Sequence, residues 1–184
     1  MDITVIALAL VLFIVVFAII QYNKLVRLNI QVDEGFSQIE VQLKRRPDLI
    51  PNLVETVKGY ATQEREVFER VVQARAASTT ASTLPAVAAA DGALTNALRG
   101  LLAVAEAYPD LKSSTNFLQL QEELATTENK VSFARQFYND TVRSLNTAVK
   151  TIPSSLFVGL AKVGEREFYE VDDPAVRNAP NVKF

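Results

Sequence analysis

The residues best suited to hold a ligand or a partner gather at one turn: Lys44, Arg45 and Arg46, followed by Asp48 and Asn52. Three cations beside the start of a helix, where unpaired backbone N–H groups add positive potential, suit a phosphate or a partner's acidic segment. The same long side chains would also serve as the solvated ends of two helices, and both readings stand at this point. A second set is Arg135, Gln136, Asn139, Asp140 and Arg143. Steps of four put Arg135, Asn139 and Arg143 on one helix face, with Gln136 and Asp140 near enough to Arg143 to share hydrogen bonds. Such a stripe lines a groove for a ligand or partner, or it forms a buried network that sets helix register.

Chemistry in the stricter sense finds little to work with. The 184 residues include no Cys and no His. That removes thiol nucleophiles and disulfides, the usual base near neutral pH, the common zinc and haem ligand, and the Glu-x-x-His pairs of di-iron bundles. Glu122, Glu123 and Glu128 are carboxylates of a single helix, whereas hydrolytic pairs face each other across a cleft at about 5 to 9.5 Å. Tyr60, Tyr108, Phe117, Phe133, Phe137 and Tyr138 are aromatic, but helical spacing assigns most of them to a core rather than to a cofactor. Neither a phosphate-binding glycine loop nor a metal-ligand pattern is present. The expectation is therefore a protein that is not an enzyme, with no catalytic residue, no cofactor and no metal. With 19 basic and 21 acidic residues for a net charge of -2, a nucleic-acid partner is not expected either, because phosphate backbones call for a clustered basic field.

The elements that must position these residues begin with an apolar run. Ile3 to Asn23 carries 21 consecutive uncharged residues, which as a helix would reach roughly 31 Å, the thickness of a bilayer's hydrocarbon core. Only Met1 and Asp2 precede it, and no Ala-x-Ala site closes it, so a retained anchor is expected rather than a cleaved signal. Lys24 and Arg27 lie just beyond it, which by the positive-inside rule puts the N-terminus outside and the remaining domain in the cytoplasm.

Beyond the anchor, Leu25, Leu28, Val32, Phe36, Ile39 and Leu43 recur at steps of three and four and extend the same helix to about Arg46, with Gly35 a point of bending. Pro47 then predicts a stop, with Asp48 capping a second helix to about residue 78. A third helix is expected from Pro85 toward Tyr108. The fourth has the longest period: Phe117, Leu120, Leu124, Thr127, Val131, Ala134, Tyr138, Thr141, Leu145, Ala148 and Ile152, with Phe133, Phe137, Val142 and Val149 widening the face. Pro153 ends it. A short amphipathic turn follows, and Asp172, Asp173, Pro174 and Pro180 predict an irregular tail. The predicted fold is all-α, an N-terminal transmembrane helix continuing into an antiparallel four-helix bundle. Its parts are an anchor at 1–23, the bundle domain at 24–152, and the short amphipathic segment with its tail at 153–184.

Several blocks resemble a known family. They are Gln42-Leu43-Lys44-Arg45-Arg46-Pro47-Asp48-Leu49-Ile50-Pro51-Asn52-Leu53-Val54, Tyr108-Pro109-Asp110-Leu111-Lys112, Leu120-Gln121-Glu122-Glu123-Leu124 with Thr127-Glu128-Asn129-Lys130, Ala134-Arg135-Gln136-Phe137-Tyr138-Asn139-Asp140, Asn146-Thr147, and Ala179-Pro180-Asn181-Val182-Lys183-Phe184. Together they are similar to the LemA family over nearly the whole chain. Two departures are Leu145, where the family pattern has an aromatic, and Leu160 to Gly164, which replaces a more aromatic run. The resemblance implies a small bacterial envelope protein with one N-terminal membrane helix and a helical domain, and it implies no established reaction.

The reading that follows is a noncatalytic, membrane-anchored scaffold or adaptor in the bacterial inner membrane. Its expected partners are the lipid bilayer, through residues 3–23, and a membrane or cytoplasmic protein, with self-association left open. A carboxylate- or tyrosine-dependent membrane enzyme and a protein that organises the lipid surface are the alternatives.

Overall fold

Apolar periodicity this long and this regular is satisfied only by helices packed on helices, and the computed structural model, which describes residues 3–170, is built that way. Its elements are α1 (Ile3–Lys58), α2 (Arg65–Thr80), α3 (Leu84–Glu106), α4 (Pro109–Lys112), α5 (Thr115–Lys150), a 3-10 turn (Ser154–Phe157) and α6 (Val158–Ala161). Among the described residues there is no strand. The expected irregular tail and the closing Ala179 to Phe184 block lie outside the described residues.

Helix α1 differs from the expectation. It does not stop at Pro47 but runs through both Pro47 and Pro51 to Lys58. A proline inside a helix removes one N–H and leaves the carbonyl four residues earlier without its donor. Pro51 does this to the carbonyl of Pro47, and the Arg75 Nε–H of α2 supplies the missing donor at 2.8 Å. The interruption falls instead at residues 59–64, beginning with Gly59, and the second helix begins at Arg65 rather than near Asp48. Later boundaries follow the prolines more simply. Pro85 occupies the first turn of α3 and Pro109 that of α4. Helix α5 ends at Lys150, ahead of Pro153.

The described residues gather into two compact units, one of 3–39 with 134–168 and the other of 40–133 with 169–170. In the first, Leu25 and Val32 of α1 and Tyr138, Val142, Leu145 and Ala148 of α5 are buried. At Gly35 the two helices approach closely. A Cβ built there would lie 3.2 Å from the Tyr138 Cα and 3.4 Å from the Thr141 hydroxyl, so the glycine permits close approach within a continuous helix. In the second unit, Ile50, Leu53, Val57, Phe68, Val71, Leu94, Leu101 and Phe117 belong to one apolar cluster supplied by α1, α2, α3 and α5.

The predicted seam of α5 is buried from Phe117 to Ala148 except for half-buried Leu120, while its last member, Ile152, is exposed. The widening residues divide. Val142 is buried and Val149 half-buried, but Phe137 is exposed and Phe133 is 72% exposed, so neither aromatic belongs to the core. Tyr60 is exposed as well, whereas Phe117 and Tyr138 are in the core as expected.

The first part of α1 is of another kind. Its side chains from Ile3 to Val16 are all exposed, and it is long and apolar enough to cross a membrane. Exposed apolar surface on that scale is stable only against another apolar phase.

Candidate functional site

The α1 stripe that buries Ile39 and Ile50 passes through Arg46, three residues after Leu43 and four before Ile50. That register decides the arginine's fate. Arg46 is 1% exposed, so it is not on the outward cationic turn where its neighbours in sequence would place it. Burying a guanidinium is tolerable only if it is paired and hydrogen-bonded. One of its terminal nitrogens donates to Asp91 Oδ1 at 2.5 Å, and the other to the Thr95 hydroxyl at 3.1 Å while meeting Glu128 Oε2 at 2.6 Å. The second carboxylate oxygen of Asp91 accepts the Tyr169 hydroxyl at 2.9 Å. Helices α1, α3 and α5 and the segment after α6 therefore meet at one cluster inside the second unit, with Arg46, Asp91 and Tyr169 buried and Thr95 and Glu128 half-buried at its edge.

Both acids pair with the arginine, so the cluster ties α1, α3 and α5 together. Glu128 belongs to it and is drawn away from Glu122 and Glu123, which stay exposed. Asp91, Thr95 and Tyr169 were not singled out from sequence. Asp91 did leave a signal, as the lone acid in the otherwise uncharged run from Leu84 to Leu98.

Lys44, Arg45, Asp48 and Asn52 are all exposed. Because α1 continues through them, they stand on the side of a helix, and no free helix N-terminus backs them. Two clefts open beside Lys44, Arg45 and Asp48. One, of about 340 Å³, is lined by Lys44, Asp48, Arg75 and Thr79 among others. The other, of about 720 Å³, brings Arg45 and Asp48 together with Glu122, Glu123 and Lys130. The second cleft thus mixes both signs of charge at its rim. Its carboxylates come from two helices, Asp48 from α1 and the neighbours Glu122 and Glu123 from α5. Among the described residues, no group of three or more acidic, His or Cys side chains is placed to hold a metal ion.

The second predicted set lies in the other unit. Gln136, Asp140 and Arg143 are exposed, and Arg143 pairs with Asp140 at 3.0 Å on the surface of α5. Arg135 and Asn139 are half-buried. Close by is a polar clasp that sequence reading missed, made by the segment after α6. Asn146 donates to the Arg166 carbonyl and accepts the Arg166 N–H, each at 2.9 Å, so one amide side chain satisfies both backbone groups. The Arg166 guanidinium reaches Asn29 and Asp33 on α1. The Tyr138 hydroxyl donates to the Glu167 carbonyl at 2.9 Å. Burial raises the Tyr138 pKa; the nearby Arg166 charge lowers it in part, while Glu167 and Asp33 add to the rise.

A family model described as the LemA family matches residues 35–184. The chain belongs to the LemA family. The match takes in Arg46, Asp91, Glu128, Asn146 and Arg166, and it leaves the apolar start of α1 outside, so the membrane character of that stretch rests on its own chemistry. Among curated relatives, the magnetosome proteins MamQ 1 and MamQ 2 of Paramagnetospirillum magneticum are each 23% identical over 178 residues, covering 83% of this chain and 65% of the relative. The protein LemA of Metamycoplasma hominis is 24% identical over 165 residues, covering 85% of this chain and 75% of its own length. This LemA-family chain therefore spans a little under two thirds of the magnetosome relatives it matches.

Proposed function

We propose that this LemA-family protein is a noncatalytic scaffold or adaptor of the bacterial inner membrane, crossing it once with the N-terminus outside and the helical domain in the cytoplasm. An antiparallel four-helix arrangement of the longer segments is part of that reading. The observation that carries it is a division of labour along one stretch of α1: Arg46 is buried and paired with Asp91 and Glu128, while Lys44, Arg45, Asp48 and Asn52 face outward, the first three of them lining two open clefts. A rigid helix that displays charges it does not need for folding suits recognition of another protein. The exposed stripe of Gln136, Asp140 and Arg143, with Arg135 and Asn139 beside it, is a second surface of the same kind. Lys24 and Arg27, exposed just past the apolar stretch, support the orientation.

The test is recovery of partners from membranes solubilised in mild detergent. Charge reversal at Lys44 and Arg45 should remove a protein that the wild-type chain retains, with the helical circular dichroism unchanged. Retention of every partner after reversal there and at Arg143 would refute an adaptor role for these surfaces.

A further inference from the structure

The segment after α5 is too short to build a core, yet it is held at one level of α1. The Phe157 ring meets the Phe17 ring edge-on at 6.4 Å between centroids. The Ser154 hydroxyl donates to Gln21 Oε1 at 3.0 Å, and both side chains are buried. Phe17 and Gln21 belong to the last turns of the apolar run. From the segment tied to them, Ile152, Leu156 and Leu160 project with 80, 76 and 67% of their surface exposed. Three large aliphatic side chains left in the open within nine residues need something to cover them.

We propose that residues 152–160 form a second membrane contact, an interfacial foot whose Ile152, Leu156 and Leu160 enter the boundary between headgroups and acyl chains of the bilayer that α1 crosses. This rests on the reading of α1 as a membrane span. The bilayer is the occupant because the segment that carries the patch is held, through Phe157 and Ser154, to Phe17 and Gln21 at the end of the apolar run of α1. The turn at 151–153 leaves backbone groups outside any helix, which suits the interface and not the hydrocarbon centre. Lys150 and Lys162, exposed at either end of the segment, have stems long enough to bring their ammonium groups to lipid phosphates, although Lys150 also pairs with Glu165 at 2.8 Å. The foot would fix how deeply α1 sits, with Ile20 in the acyl region and Gln21 at its edge.

The chain has no native cysteine, so single cysteines at Val11, Ile20, Ser132, Leu156 and Leu160 can each carry an environment-sensitive fluorophore in the full-length protein. In vesicles of phosphatidylethanolamine and phosphatidylglycerol, labels at 156 and 160 should be blue-shifted, quenched by doxyl lipid and protected from iodide, as at 20. The label at 132 should be open to iodide. Iodide quenching at 156 and 160 with lipid quenching kept at 11 would overturn the foot alone. Iodide quenching at 11 as well would overturn the membrane span and the foot with it. Protection at 156 and 160 in native membranes but not in lipid vesicles would assign the patch to a protein and overturn the lipid assignment. A second variant keeps the labels themselves from deciding the matter: Leu156→Ser with Leu160→Ser should red-shift the reporter at 20, and an unchanged emission there would contradict a depth-setting foot.

Discussion

Two arginines gather the two units by different physics. Arg46 and Asp91 form a buried pair with half-buried Glu128 and Thr95 at its edge, whereas Arg166 reaches Asn29 and Asp33 with its side chain still partly in water. In the buried pair each charge depends on the other, since removing one leaves the other charge with little access to solvent. At the wet clasp water replaces a lost partner, and the specific hold comes from Asn146 gripping the Arg166 backbone. One unit is keyed by charge and the other by close backbone approach and amide hydrogen bonds.

The sharpest way to break that contrast is Arg46→Met. It should cost about 3 to 5 kcal/mol in urea unfolding of the full-length protein, because Asp91 stays buried without its cation. A cost below that of Arg166→Met would invert the comparison. Next in size is Gly35→Val. Its added methyls meet Tyr138 backbone that cannot move aside, so a loss of about 2 to 3 kcal/mol is expected by the same measurement. Asn146→Ala should follow at roughly 1 to 2 kcal/mol, since the Arg166 N–H and carbonyl both lose their partner. Arg166→Met should cost less than about 1 kcal/mol and lose even that at high salt.

The smallest effect is one of pH. With the folded-state pKa of Tyr138 raised by burial, the unfolded chain gives up this proton first, so the contribution is whole below about pH 10 and fades as pH rises through the folded value. Tyr138→Phe should therefore flatten the alkaline fall of the melting temperature. An unchanged slope would separate Tyr138 from it.

The seam of α5 was legible because its period runs unbroken from Phe117 to Ala148 and only one face of a helix can satisfy it. Helical spacing brings Phe133 and Phe137 to the margin of that face, yet both lie off the buried stripe and are exposed. Pro47 predicts a stop because a breaker rule is local, and nothing near it in sequence announces that Arg75 will supply a donor. Of the candidate residues, Lys44, Arg45, Asp48 and Asn52 are exposed as charge and polarity suggest. Arg46 is not, because its place on the apolar stripe outweighs its charge once Asp91 and Glu128 are within reach. That pairing spans 45 residues in one direction and is invisible to any short window.

The bond from Arg75 to the Pro47 carbonyl exists because residue 51 has no N–H to offer. Replace Pro51 with alanine and the carbonyl gains a helical donor, leaving Arg75 to compete for an acceptor it now holds alone. Replace Arg75 and the proline leaves a bare acceptor behind. As relatives of this chain diverge, positions 51 and 75 should drift as a pair, and a lineage that loses the proline is released from keeping the arginine.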